Sequence, residues 1–221
     1  MYPICLQLTN KLCVVIGGGG VAERKVKEIL SQHGCVRLIS PDLTEYLQQL
    51  VKNEHIEWWN KEYSTGDLAG AFLVFAATSN TKVQQQILAD ANQQNVLINV
   101  ADHPDCCDFH VPASIHRGEL TIAISTNGKS PAMSAMVRKR LEPHIGEEFG
   151  VLLELMSQVR QQVIGSVAQQ QEKRILFQKI FDEDILGWIK QGQWELVASH
   201  IENVLGPSIE IDWMRIKESR T

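Results

Sequence analysis

The sequence predicts an α/β fold in which an N-terminal doubly wound parallel sheet is followed by a central segment and an all-helical C-terminal domain. Three observations carry this. Residues 12–25, Leu-Cys-Val-Val-Ile-Gly-Gly-Gly-Gly-Val-Ala-Glu-Arg-Lys, read as a buried strand, a glycine turn and the start of a helix. Strand and helix signals alternate through the first hundred residues, which implies right-handed crossovers and a parallel sheet. From Gly150 onward no strand signal remains.

The elements follow in order. Leu12–Ile16 is a short apolar run, and Val21–Gln32 carries Val21, Val26, Ile29 and Leu30 at helical spacing with Gly34 as its stop. Residues 35–40 form a second strand ended by Pro41, and 43–51 a helix with Leu43, Leu47, Leu50 and Val51 on one side. Strands are expected at 56–59, 71–77 and 96–100, with a helix between the last two capped by Asn80. Leu120–Ser125 alternates as a half-exposed strand does, residues 126–131 form a turn, and Ser130 caps a helix that begins at Pro131. Leu152, Leu155, Met156, Val159 and Val163 line one helical face. Further helices are expected near 175–181, 185–189 and 194–205, a joint at Gln169-Gln170-Gln171, and a frayed tail from Pro207. The domain bounds implied are 1–113, 114–147 and 148–221.

Bulk properties narrow the function. The chain has 221 residues, 44% hydrophobic and 21% charged, enough for a sizeable core. A net charge of −5 argues against coating nucleic acid. No apolar run approaches the ~20 residues of a membrane span, and no basic-then-apolar leader is visible. An odd cysteine count of five, with Cys13 and Cys35 in apparent core strands, fits reduced thiols acting as small hydrophobes in a cytoplasm.

Gly17, Gly19 and Ala22 fit the G-x-G-x-x-G/A fingerprint of a Rossmann dinucleotide site. Gly17 permits the tight turn, Gly19 lets backbone approach a pyrophosphate, and Ala22 lets the helix pack on the strand. The helix-start N–H groups then face the phosphates. Asp42, just past the second strand, is a candidate acceptor for the adenosine ribose; N-capping the next helix is its alternative. No arginine stands just after that strand, and Arg37 lies within it, so NAD is favoured over NADP. Ser40 and Thr78, at strand ends on the carboxyl edge, join the cofactor candidates.

Asp102 follows a strand on the same edge and is the first candidate for a general acid/base, with capping of a turn before Pro104 as the alternative. Cys106-Cys107-Asp108-Phe109-His110 mixes soft and hard ligands. Adjacent cysteines on extended chain point apart, so no metal site is assigned. His110 and His116 either line a cleft or lie on the surface. Lys129, Arg138, Lys139 and Arg140 are either a solvated helix face or a site for carboxylates or phosphates.

Five blocks resemble one family in order. Val15–Lys25 resembles the opening of precorrin-2 dehydrogenases and of the N-terminal module of siroheme synthases. Ala76-Ala77-Thr78, Asn99-Val100-Ala101-Asp102 and Phe109-His110-Val111-Pro112-Ala113 are similar to its later blocks, and Ile124–Pro131 to its S-x-x-G-x-S-P turn. The resemblance covers roughly residues 1 to 145. It implies NAD-dependent oxidation of precorrin-2 to sirohydrochlorin, a homodimer built through the central segment, and Asp102 as the catalytic aspartate. It puts Gly20, Val21, Asp42 and Leu43 at NAD-contacting positions, and Ser125 and Thr126 beside the tetrapyrrole, with Lys129 and Arg138 as cations for its carboxylates. Some relatives carry phosphoserine in this turn, at the position matched here by Thr126. A second, iron-chelating activity is one alternative, which His103, His110 and His116 keep open. A non-catalytic NAD-sensing module is another.

Overall fold

Strand β1 (Leu12–Ile16) is buried almost throughout, as a strand covered on both faces must be. It pairs in parallel with β2 (Cys35–Ile39) and β4 (Leu73–Ala76). Outside these lie β3 (Glu57–Trp59) and β5 (Leu97–Val100), giving the order β3-β2-β1-β4-β5. The computed structural model describes residues 1–166, 170–181, 183–207 and 209–218. The chain divides into two units after Val111.

The pleat sorts the core of the first unit into two layers. Cys13 and Val15 of β1 pack with Ala22, Val26 and Ile29 of α1 (Gly20–Ser31) and Leu47 of α2 (Glu45–Lys52). Val14 and Ile16 face the other way, onto Ile87 and Ala91 of α3 (Thr81–Gln94). Each fully buried Val, Leu or Ile contributes ~1.5–3 kcal/mol. The reversal of strand order falls between β1 and β4, where a crevice opens at the carboxyl edge.

Local signals explain the element ends. The Asn80 side chain accepts from the N–H groups of Lys82 and Val83 at 3.1 and 3.3 Å. Asn95 closes α3 in the left-handed region at φ 53. After α1 the left-handed residue is His33 (φ 56), so the expected stop at Gly34 falls one residue late. Cys35 also departs from expectation. It is exposed at the start of β2, while Cys13 is fully buried. Burial, with Cys35 nearby, pushes the Cys13 thiol up to about 11. Arg37 turns back over the sheet. It pairs with Glu57 at 2.9 Å, donates to the Ala69 carbonyl at 3.1 Å and stacks on Trp59.

The second unit opens with a hairpin, β6 (Ala113–Arg117) and β7 (Leu120–Ile124), turning at Gly118 (φ 54). Its first strand is polar and went unpredicted. Helix α4 (Pro131–Leu141) follows, with the Ser130 hydroxyl accepting from Met133 N–H at 3.2 Å. Helix α5 (Glu148–Ser166) buries Val151, Leu155, Val159 and Val163 against Ile180 of α6 (Gln170–Ile180), Ile185 and Ile189 of α7 (Ile185–Gln191), and Val197 and Ile201 of α8 (Trp194–Leu205). Gln170 and Gln171 begin α6 rather than forming a joint, and Gln169 lies outside the described residues. The tail was expected to fray. Instead α9 (Trp213–Glu218) forms and buries Ile216 in the helical core; Ser208 and residues 219–221 lie outside the described residues. Among the described residues no helix is long and apolar enough to cross a membrane.

Candidate functional site

The glycine turn is built by close approach. A Cβ on Gly17 (φ +117) would run into the Ala77 carbonyl oxygen, and one on Gly18 into the Asp42 carbonyl oxygen. The turn is thus pressed against the ends of β4 and β2 at once. Hydrogen bonds hold it there: Gly17 N–H to Ile39 O at 2.9 Å, Ala77 N–H to Ile16 O at 2.8 Å, and Thr44 N–H to Gly18 O at 3.0 Å. Beside Gly19 and Gly20 the situation reverses, because a Cβ there would meet nothing within 4 Å.

That open space faces the start of α1. Gly19 is its N-cap and offers no side-chain acceptor, so the first-turn N–H groups are left for a ligand. Glu23, the acid of that turn, is tied away from it. Its carboxylate takes the Lys27 ammonium at 2.6 Å and the Thr44 hydroxyl at 2.7 Å. These bonds, the lysine's first, hold the Glu23 carboxyl below the usual range.

The cleft has a volume of about 630 Å³. Gly17, Gly19, Gly20, Val21, Ser40, Asp42, Leu43 and Thr78 line it, and so does Asp102. Ala22 does not; it is wholly buried and packs beneath the turn. Gly18, Pro41, Thr44, Ala77, Ser79 and Ala101 line it too. Ser40 is nearly buried, and its hydroxyl donates to Asp42 O at 2.8 Å, shaping the loop. Asp42 does not cap α2; the Thr44 hydroxyl does, accepting from Leu47 N–H at 3.3 Å. The Asp42 carboxylate is exposed. Among the described residues no Lys or Arg lines the cleft.

Asp102 lines the same cleft from the loop after β5, exposed and with its backbone in the left-handed region at φ 61. Aspartate takes this conformation in tight turns, and the turn is closed here by His103 N–H to Val100 O at 3.4 Å. Its carboxylate makes no hydrogen bond or ion pair among the described residues. Neither His110 nor His116 lines this cleft. His116 lies between Ser114 and Thr121 on the hairpin at 2.9 and 3.1 Å. Cys107 is occupied by backbone groups of β5, and Cys106 is exposed.

In the second unit the Thr126 hydroxyl is engaged within its own turn, donating to Ser130 O and accepting from Ser130 N–H, both at 3.1 Å. Ser125 is exposed and accepts from Asn127 N–H at 3.1 Å. Arg138 pairs with Glu142 at 2.7 Å, one helical turn on, while Lys129, Lys139 and Arg140 are exposed.

Fold and site together define a dinucleotide-binding Rossmann protein. Comparison with known proteins agrees and goes further. Residues 4–113 match the family described as "Putative NAD(P)-binding", and residues 117–144 match the sirohaem biosynthesis protein central family. The siroheme synthase of Nitrosococcus oceani is 33% identical over 204 residues, 92% of this chain and 43% of that protein. That of Vesicomyosocius okutanii is 30% identical over 208 residues, 94% of this chain and 45% of its own. The chain spans less than half the length of these curated relatives. A solved structure named SirC, precorrin-2 dehydrogenase, shares the fold at a TM-score of 0.73 and 21% identity, covering 99% of this chain and 100% of that one. The chain thus joins a region of the NAD(P)-binding family to a region of the sirohaem biosynthesis central family.

The close approach at Gly18 yields a prediction. Gly18→Ala forces its methyl group against the Asp42 carbonyl and separates the turn from the β2 loop. Dinucleotide affinity should fall at least about tenfold, ~1.4 kcal/mol, with far-UV circular dichroism unchanged. Undiminished affinity by titration calorimetry would contradict this geometry.

Proposed function

We propose that this chain oxidises precorrin-2 to sirohydrochlorin with NAD as the acceptor. The observation that carries the proposal is the exposed Asp102 carboxylate lining a dinucleotide cleft, with no hydrogen bond or ion pair among the described residues. Similarity to the siroheme synthases supports the substrate class. NAD, when bound, supplies the hydride acceptor. The chain's own residues supply the rest. The first-turn N–H groups of α1 hold the pyrophosphate, and Asp42 accepts hydroxyls of the adenosine ribose. Asp102 takes the proton that leaves the macrocycle as the hydride departs, so the substrate loses two hydrogens and two electrons in all. NAD is favoured over NADP because a 2′-phosphate would meet the Asp42 carboxylate with no cation among the described residues lining the cleft, Arg37 being bound to Glu57 and Ala69.

We place Ser125, Thr126, Lys129 and Arg138 at the carboxylates of the substrate. Thr126 acts by shaping its turn, and Arg138 would exchange its Glu142 partner for a substrate carboxylate. We also propose a homodimer formed through residues 114–147. Met133 and Met136 on α4, 53% and 40% exposed, are apolar surface that a second copy would cover. The five free thiols support a reducing, cytoplasmic setting.

Under anaerobic conditions Asp102→Asn should lower kcat about 10²- to 10⁴-fold, the range for loss of a general base, with NAD affinity retained. A wild-type rate would remove Asp102 from the chemistry. Lys129→Glu should raise KM for precorrin-2 and leave KM for NAD alone; equal shifts in both would count against a substrate role. In sedimentation the protein should run as a dimer, and Met133→Glu combined with Met136→Glu as a monomer. A monomeric wild type would end the dimer proposal.

A further inference from the structure

We infer that Cys107 is a positioning residue for Asp102, its thiol clasping both sides of the loop that carries the carboxylate. The inference rests on the reading of Asp102 as the general base. It begins at the sheet edge. β5 is an outer strand, so the N–H and C=O groups on its free side have no sheet partner. The returning chain covers them. Asp108 accepts from Ile98 N–H at 3.0 Å through its carboxylate and donates its own N–H to Ile98 O at 2.9 Å. The Asn99 amide donates to Phe109 O at 2.9 Å.

Cys107 does more than cover the edge. Its sulfur accepts the Val100 N–H at 3.1 Å, and its S–H lies 3.3 Å from both the Val100 and the His103 carbonyl oxygens. The single thiol proton serves one carbonyl at a time. Val100 stands before Asp102 and His103 directly after it, so one sulfur atom ties together the two flanks of the residue at φ 61. The turn is closed by His103 N–H to Val100 O at 3.4 Å, and the thiol adds a second tie between the same two residues. Burial pushes the Cys107 thiol up, so it stays in the S–H form that donates. A cysteine that merely sealed the edge would affect stability and leave the chemistry at Asp102 untouched.

The test is a double-mutant cycle in the whole protein with Asp102→Asn and Cys107→Ala, with Cys107→Ser as the conservative variant that keeps a donor and an acceptor. Cys107→Ala should lower kcat roughly tenfold, within the range of couplings between contacting residues, at unchanged KM for NAD. Cys107→Ser should recover part of that loss. In the Asp102→Asn background the cysteine substitution should cost nothing further. A Cys107→Ala enzyme that keeps its kcat overturns the inference, whether its melting temperature falls or not. So does a full tenfold loss in the Asp102→Asn background, because the thiol would then act without the carboxylate. If Cys107→Ala does not fold, the Cys107→Ser cycle is read the same way. Asp102→Asn alone at the wild-type rate would instead overturn the reading of Asp102, and the inference with it.

Discussion

The site depends on one steric constraint: the backbone of Gly17 and Gly18 lies where no side chain fits, against the carbonyl oxygens of Ala77 and Asp42. This contact joins the ends of β4 and β2 to the turn after β1. It brings the Asp42 loop and the Thr78 strand end into one cleft. The open space beside Gly19 and Gly20 is the counterpart of that crowding. Backbone presses on backbone on one side of the turn, and on the other the α1 N-terminus is left for an anion.

The electrostatics follow from that arrangement. In the proposed site phosphate charge is met by helix N–H groups, and among the described residues no lysine or arginine lines the cleft. The one acid in the first turn of α1, Glu23, is occupied by Lys27 and by Thr44. Thr44 therefore does three things. It caps α2, fastens the glycine turn through Gly18 O, and turns Glu23 away from the anion site. Asp42 and Asp102 are left as the two exposed carboxylates of the cleft.

The sheet was legible in the sequence because buried parallel strands are continuous apolar runs and the glycine fingerprint has a steric cause. The caps at Asn80 and Ser130 were legible because a polar side chain stood at the right offset. Thr44 was passed over for Asp42 because the apolar spacing starts the helix at Leu43, whereas it begins at Glu45 with Thr44 extended before it. Gly18 was the x of the motif, and its need for glycine arises from Asp42, 24 residues along the chain and outside any local pattern. Strand β6 was missed because its one large apolar residue is Ile115, buried only once its partner strand and α4 are in place. The exposure of Cys35 depends on its place at the strand start, which composition does not report.

The most direct test of the account is one anaerobic reaction of the purified protein with precorrin-2 and NAD, following NADH and sirohydrochlorin by their absorbance in the same cuvette. The account predicts that both appear together, one for one, at a rate proportional to protein and faster with NAD than with NADP. Tight NAD binding with neither product formed would contradict it and leave a nucleotide-binding module without chemistry.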